Sequence, residues 1–250
     1  MLRSALTRAT IVALLAVAAP GLVDAQAGDG FLFREPRVTL KFETGYGFQR
    51  AQGAIFDDLL ERQTLDRRSF DSPYLGGEVA VRVNDRADVA LGVGYQSSST
   101  VSELWDWVGT DDLPIEQVND LTLVPVVVSG RFFLKPRGRS IGRFAWVPEK
   151  VVPYLGAGLG LMSYSLEVSG EFVDESDPEF PIYSDRLSTS RNTFMARGAL
   201  GLDLALGSQF VLNGEARYNY ARGSLDNDFS GFGDIDLDGF QFVAGVAVRF

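Results

Sequence analysis

The 250-residue chain contains no cysteine and no histidine. The first absence excludes disulfides, thiolate metal sites and a lipoprotein anchor. The second removes Ser-His-Asp chemistry, histidine-ligated zinc and most general-base designs. No apolar run reaches the roughly 20 residues of a spanning helix. Basic residues are also short, 23 against 33 acidic, for a net charge of −10. That balance argues against a nucleic-acid surface, which needs clustered Lys and Arg. Glycine, by contrast, is abundant at 27 residues, and aromatics make up 12%. Both suit a strand-rich protein.

The first residues have the three parts of a secretory signal peptide. Arg3 and Arg8 are the positive region, Ile11 to Ala19 the apolar core, and Val23-Asp24-Ala25 the small-residue cleavage site. Residues 1–25 are therefore expected to be removed, leaving 26–36 as a short N-terminal segment and 37–250 as the folded body.

That body repeats a period of two, the signature of strands with one apolar face. Eight segments show it: Val38–Phe48, Tyr74–Val83, Val89–Gln96, Leu121–Phe133, Val152–Ser165, Thr193–Leu206, Phe210–Tyr220 and the terminal Phe240–Phe250. The fourth is apolar on both faces; Val124, Val126, Val128 and Phe132 are assigned outward, Ser129 and Arg131 inward. Each is about ten residues long, the length that crosses a bilayer at a tilt. Longer polar links (49–73, 97–120, 166–192, 221–239) alternate with shorter ones. The stretch IFDDLLERQ in the first long link has the makings of a short helix.

No Asp, Glu, Lys or Arg falls on the apolar faces. The opposite faces carry Lys41, Glu43, Glu78, Arg82, Arg131, Arg197, Asp203, Glu215, Arg217 and Arg249. The alternation alone fits a soluble barrel, greasy inside, or a membrane barrel, greasy outside. The leader, the strand length, glycines on the charged face and aromatics near strand ends favour the second. The predicted fold is all-β: an eight-stranded antiparallel transmembrane, up-and-down β-barrel with both termini periplasmic. A soluble periplasmic ligand-binding barrel is the remaining fold alternative.

Two short stretches carry a family resemblance. The closing alternation Phe240, Phe242, Val246, Val248, Phe250 resembles the carboxy-terminal signal read by the barrel-assembly machinery of outer membranes. VPYLGAGLG, residues 152–160, resembles a strand start of small OmpA-like and OmpW-like barrels. The resemblance implies an outer-membrane location, lipid and lipopolysaccharide as neighbours, and assembly machinery as a partner. A monomer is expected, without the peptidoglycan-binding domain of OmpA-type proteins. The barrel enzymes (lipid-A deacylases, palmitoyl transferases, phospholipases, surface proteases) rely on a histidine, so an enzyme is not expected.

Three constellations remain. Charges on the inward faces must pair, because an isolated buried ion costs several kcal/mol. They either fill a narrow bore or form a switchable gate; filling is expected, since eight strands leave little room. The links 97–120 and 166–192 are rich in Asp and Glu; they either form a solvated surface or hold divalent cations against lipopolysaccharide phosphates. Finally, DIDLDG places Asp234, Asp236 and Asp238 at the spacing that opens a calcium loop. The twelfth position is Gly245, where such a loop needs an acid, so the match is partial. No cofactor is expected. The leading role is structural or surface-interacting, and the alternative is a narrow channel of the OmpW-like kind for small or hydrophobic solutes.

Overall fold

A computed structural model of the chain describes residues 31–109, 112–142, 145–174 and 177–250. The signal peptide expected at 1–25 lies outside the described residues. In chain order the elements are β1 (Val38–Gln49), α1 (Ala54–Arg62), β2 (Ser72–Asn84), β3 (Ala87–Val108), β4 (Pro114–Phe133), β5 (Gly138–Ile141) and β6 (Ala145–Pro148). They continue with β7 (Val151–Val173), β8 (Ile182–Ala205), β9 (Phe210–Ser224), β10 (Asp234–Asp236) and β11 (Gly239–Arg249). Eight long antiparallel strands close a ring in the order β1, β2, β3, β4, β7, β8, β9, β11 and back to β1. No helix among the described residues is long and apolar enough to span a membrane.

Side chains alternate across the wall as the pleat requires. On β11 and at Phe250 just past it, Phe240, Phe242, Val246 and Phe250 face out, Phe242 being 57% exposed, and Val248 is half-buried. Such a continuous apolar exterior would be insoluble, so the greasy-inside soluble barrel is overturned. Phe48, Tyr95, Phe194, Tyr220 and Phe240 are exposed near one edge of this band, joined by ladder pairs such as Phe48 with Phe240. Past them the outward positions turn polar, with Ser97, Ser163, Asn192 and Arg222. An apolar belt bounded by aromatics is the exterior of a bilayer-spanning barrel.

The two acid-rich links differ from expectation. β3 and β4 run 22 and 20 residues, β7 and β8 23 and 24, against 11 to 15 for the other ring strands. Most of 97–120 and 166–192 is therefore paired strand. The ladder runs from Ser97 with Thr122 to Glu103 with Glu116, and from Leu166 with Thr189 to Val173 with Ile182. The reason is local: inward Ser98, Thr100 and Ser102 are small polar residues that keep the pleat without advertising it as an apolar alternation. Four strands thus stand beyond the belt as two hairpins.

Those hairpins need an inner lining, and the first long link supplies it. In α1, Ile55, Phe56 and Leu59 recur at helical spacing on the buried face. Asp57 in its first turn and Arg62 in its last complement the helix dipole. Next, the Asp66 carboxylate accepts from the backbone amides of Arg68 (2.7 Å) and Ser69 (3.1 Å), capping a 3-10 turn that delivers Phe70. The Phe56 and Phe70 rings meet edge to face at 4.8 Å. Around them pack inward residues of the extended wall, including Leu121, Leu123, Met162, Leu166 and Val168, with Phe229 and Ile235 from the last long link. This explains why the fourth strand segment is apolar on both faces: one meets lipid, the other α1. The interior is charged through the belt, and above it an apolar core surrounds α1 beside a buried amide cluster of Gln63, Gln117 and Asn119.

At the other end, the 134–150 link folds β5 and β6 into a hairpin whose Trp146 is buried. Leu32 bridges Trp146 through paired backbone hydrogen bonds of 2.9 and 2.8 Å, tying part of the 26–36 segment across this mouth.

Candidate functional site

Strand alternation sets Lys41 beside Glu43 on the inner face of β1 and Glu215 beside Arg217 on that of β9. Ring closure brings the pairs together with Glu78, which stands opposite Lys41 in the β1–β2 register. Lys41, 1% exposed, places Nζ 3.1 Å from Glu43, 3.3 Å from Glu78 and 3.9 Å from Glu215. Arg217, 2% exposed, grips Glu43 with both terminal nitrogens, each donating at 2.6 Å, and turns Nε to Glu215. The fork-to-carboxylate geometry is the strong form of this bond. Arg131 extends the chain of charges, with Nη1 2.9 Å from Glu78 and Nη2 3.5 Å from Asp88.

Two tyrosines finish the carboxylates' hydrogen bonding. Tyr74 Oη donates to Glu43 at 3.0 Å, and Tyr154 Oη donates to Glu215. Their rings lie where Cβ atoms would stand at Gly94 and Gly201, so those positions accept only glycine without displacing the ring. A void of ≈ 10 Å³ beside Glu78, Arg131, Arg197 and Glu215 has room for about one water molecule.

Toward the termini a second tier follows. Arg249 pairs with Asp203 at 3.2 Å and lies over the Trp146 ring at 6.0 Å; Arg137 pairs with Asp88 at 2.7 Å. Burial pulls the Arg137 guanidinium down to about 10 against the opposing pull of Asp88, so it stays charged at neutral pH. Toward the hairpins, Gln241 donates to Gln96 at 2.8 Å, and the apolar core around α1 begins.

From the termini toward the hairpins the bore holds indole and ion pairs, then the central cluster, then amides, then an apolar core. Residues 9–250 match the family of the outer membrane protein beta-barrel domain.

The chain belongs to that family.

A solved structure shares the fold. The outer membrane protein OprG of Pseudomonas aeruginosa aligns at 14% identity over 87% of this chain and 97% of its own, with a TM-score of 0.52. Neisserial surface protein A aligns at 15% over 89% and 98%, TM-score 0.48. The attachment invasion locus protein Ail of Yersinia pestis aligns at 15% over 86% and 99%, TM-score 0.45. No curated protein matches the chain.

Within this outer-membrane barrel, Lys41, Glu43, Glu78, Arg131, Glu215 and Arg217 converge. Asp203 lies apart in the tier with Arg249. Arg82 turns toward the termini, pairing with Glu35 and, at 2.7 Å, with Asp85. Arg197 makes no ion pair among the described residues and donates Nε to Asn219 at 2.7 Å. Asp88 and Arg137 are members that sequence reasoning missed. Asp88 falls in NDRAD, between the second and third alternating segments, but β3 already begins at Ala87 and its parity turns Asp88 inward. Parity also held the signal for Tyr74 and Tyr154, which precede Gly76 and Gly156 on the inner face.

At Asp234, Asp236 and Asp238, where the sequence matches the opening of a calcium loop only in part, the Asp236 and Asp238 carboxylates face other partners. Asp234 and Asp236 lie on β10, where an extended strand spaces alternate carboxylates along a line, and Asp238 lies just past it. Asp236 pairs with Arg222 at 2.6 Å, and Asp238 pairs with Arg50 at 3.0 Å and accepts from Tyr218. No group of three acidic side chains suited to a metal occurs among the described residues.

Proposed function

We propose that this outer-membrane barrel is a closed, non-enzymatic scaffold, its termini in the periplasm and its long hairpins outside, whose work is done at the hairpin end. The observation that carries the reading is the bidentate Arg217–Glu43 pair at the centre of the bore, buried with Lys41 and Glu215. A solute path would have to part buried charges from their partners, a cost of several kcal/mol per ion. The apolar core above and Trp146 below obstruct the same path twice more. With no histidine in the chain, the acid–base chemistry familiar from barrel enzymes lacks its usual base. The outward row Phe240, Phe242, Val246, Val248 and Phe250 is the segment we assign to recognition by the assembly machinery.

Solute flux tests the closed state. Liposomes carrying the purified barrel are expected to release entrapped ions and small neutral solutes no faster than empty liposomes. Release that scales with protein content and falls with solute size would instead establish the narrow-channel alternative.

A further inference from the structure

Between α1 and the two tall hairpins lies a cleft of 520 Å³ that nothing in the bore or belt requires. This is the size of a small-molecule site. Its floor is apolar: Ile55 and Leu59 of α1, Phe172 of β7, Leu187 of β8, and Phe229 with Phe232 beneath them. Trp107 of β3 forms one side and is held by a ring contact of 5.1 Å to Phe180 from the other hairpin.

The floor is fixed before any ligand arrives. Gln63, at the end of α1, donates to Gln117 of β4 at 2.7 Å, and Gln117 donates to the Glu171 carbonyl of β7 at 2.8 Å. Gln63 Oε1 in turn accepts from Ser102 at 2.6 Å and Asn119 at 2.7 Å. Helix and both hairpins are thus locked by buried amides.

The rim decides the charge of the occupant. Among the described residues, Asp58, Glu61, Asp106 and Asp228 line the cleft against one basic residue, Arg62, which pairs with Asp58 at 3.2 Å. Glu61, Asp106 and Asp228 have no ion-pair partner among the described residues. An anion would meet these carboxylates unshielded, and a bare metal ion would find no three of them converging. An uncharged apolar molecule would fill the floor but gain nothing from the rim. We infer that the cleft binds a small organic ammonium ion with an aromatic or alkyl body, the body on the Phe floor and the ammonium among the carboxylates and over Trp107. The aromatic wall and acidic rim attract the same charge, since a cation is also drawn to the face of an indole ring.

This deepens the reading of an outward-working barrel, but it is tested in detergent, where flux plays no part. Titration calorimetry of the full-length mature barrel in a non-ionic detergent uses benzyltrimethylammonium, benzyl alcohol and benzoate as probes. The cation is expected to bind saturably with one site, at least tenfold more tightly than benzyl alcohol, and benzoate not at all. Raising salt from 50 to 500 mM should weaken the cation, since exposed charges are screened. The exposed triple variant Glu61→Gln, Asp106→Asn, Asp228→Asn should lose at least tenfold for the cation and leave benzyl alcohol unchanged. Trp107→Ala should weaken both. Equal affinity for cation and alcohol, no saturable binding of the cation, or a triple variant that binds it as well as the parent would each overturn the assignment. A leaking barrel that still binds the cation selectively would refute the closed state alone.

Discussion

Arg217→Met is expected to destabilise the barrel by about 3–5 kcal/mol, because it leaves two carboxylates buried without their main partner. Glu43 would lose both donors of the guanidinium fork and Glu215 its Nε contact. Among the described residues, Lys41 would then be the one cation left to Glu43, at 3.1 Å, and to Glu215, at 3.9 Å, while still shared with Glu78 at 3.3 Å. The comparison is Arg197→Met, which removes an inward cation that has no carboxylate partner among the described residues and only Asn219 to release. It should change stability by less than about 1 kcal/mol, the net worth of one ordinary hydrogen bond. Urea unfolding in lipid vesicles, followed by heat-modifiable gel mobility, reads both. Adding Glu43→Gln to Arg217→Met should recover part of the loss, because the uncompensated charge is then gone. Equal effects of the two arginine substitutions would show that the ion pairs are not what holds the centre of the bore.

Phe56→Ala should act elsewhere in the same molecule. Its ring is fully buried and meets Phe70 edge to face, so truncation leaves a cavity under α1. Losses of about 3–5 kcal/mol follow Phe→Ala changes in packed cores. The loss should fall on the outer core, which is joined to the belt mainly through the inner faces of β4, β7 and β8. Hydrogen exchange resolved by segment is expected to show residues 51–70 and 225–237 opening while the belt ladders stay protected. Uniform loss across all strands would instead make the outer core and the barrel one cooperative unit. Because the cleft is built on α1, the same variant should also lose binding of the organic cation.

Much of this architecture is legible in the sequence. The period-two pattern locates all eight ring strands, and the absence of charge on one face of each orients them once the exterior is known to be apolar. Lys41, Glu43, Glu78, Glu215 and Arg217 follow from parity alone, since a strand residue has only two faces to choose from. What parity cannot supply is partnership across the ring. Nothing local distinguishes Arg217, which grips Glu43 at a separation of 174 residues, from Arg197, which grips only an amide. Strand ends are equally obscure where the pleat carries serine and acid: Ser98, Thr100 and Ser102 read as loop but are ladder. The outer cleft is the least legible feature. It depends on α1 docking into hairpins that extend past the membrane, and both facts come from tertiary packing.

The central claim is that the bore is closed, and single-channel recording across a planar bilayer tests it most directly. Inserted wild-type barrels, counted by a fluorescent label, should show no resolved opening steps at any voltage that the bilayer tolerates. Discrete, reproducible conductance steps proportional to the number of inserted barrels would contradict the account.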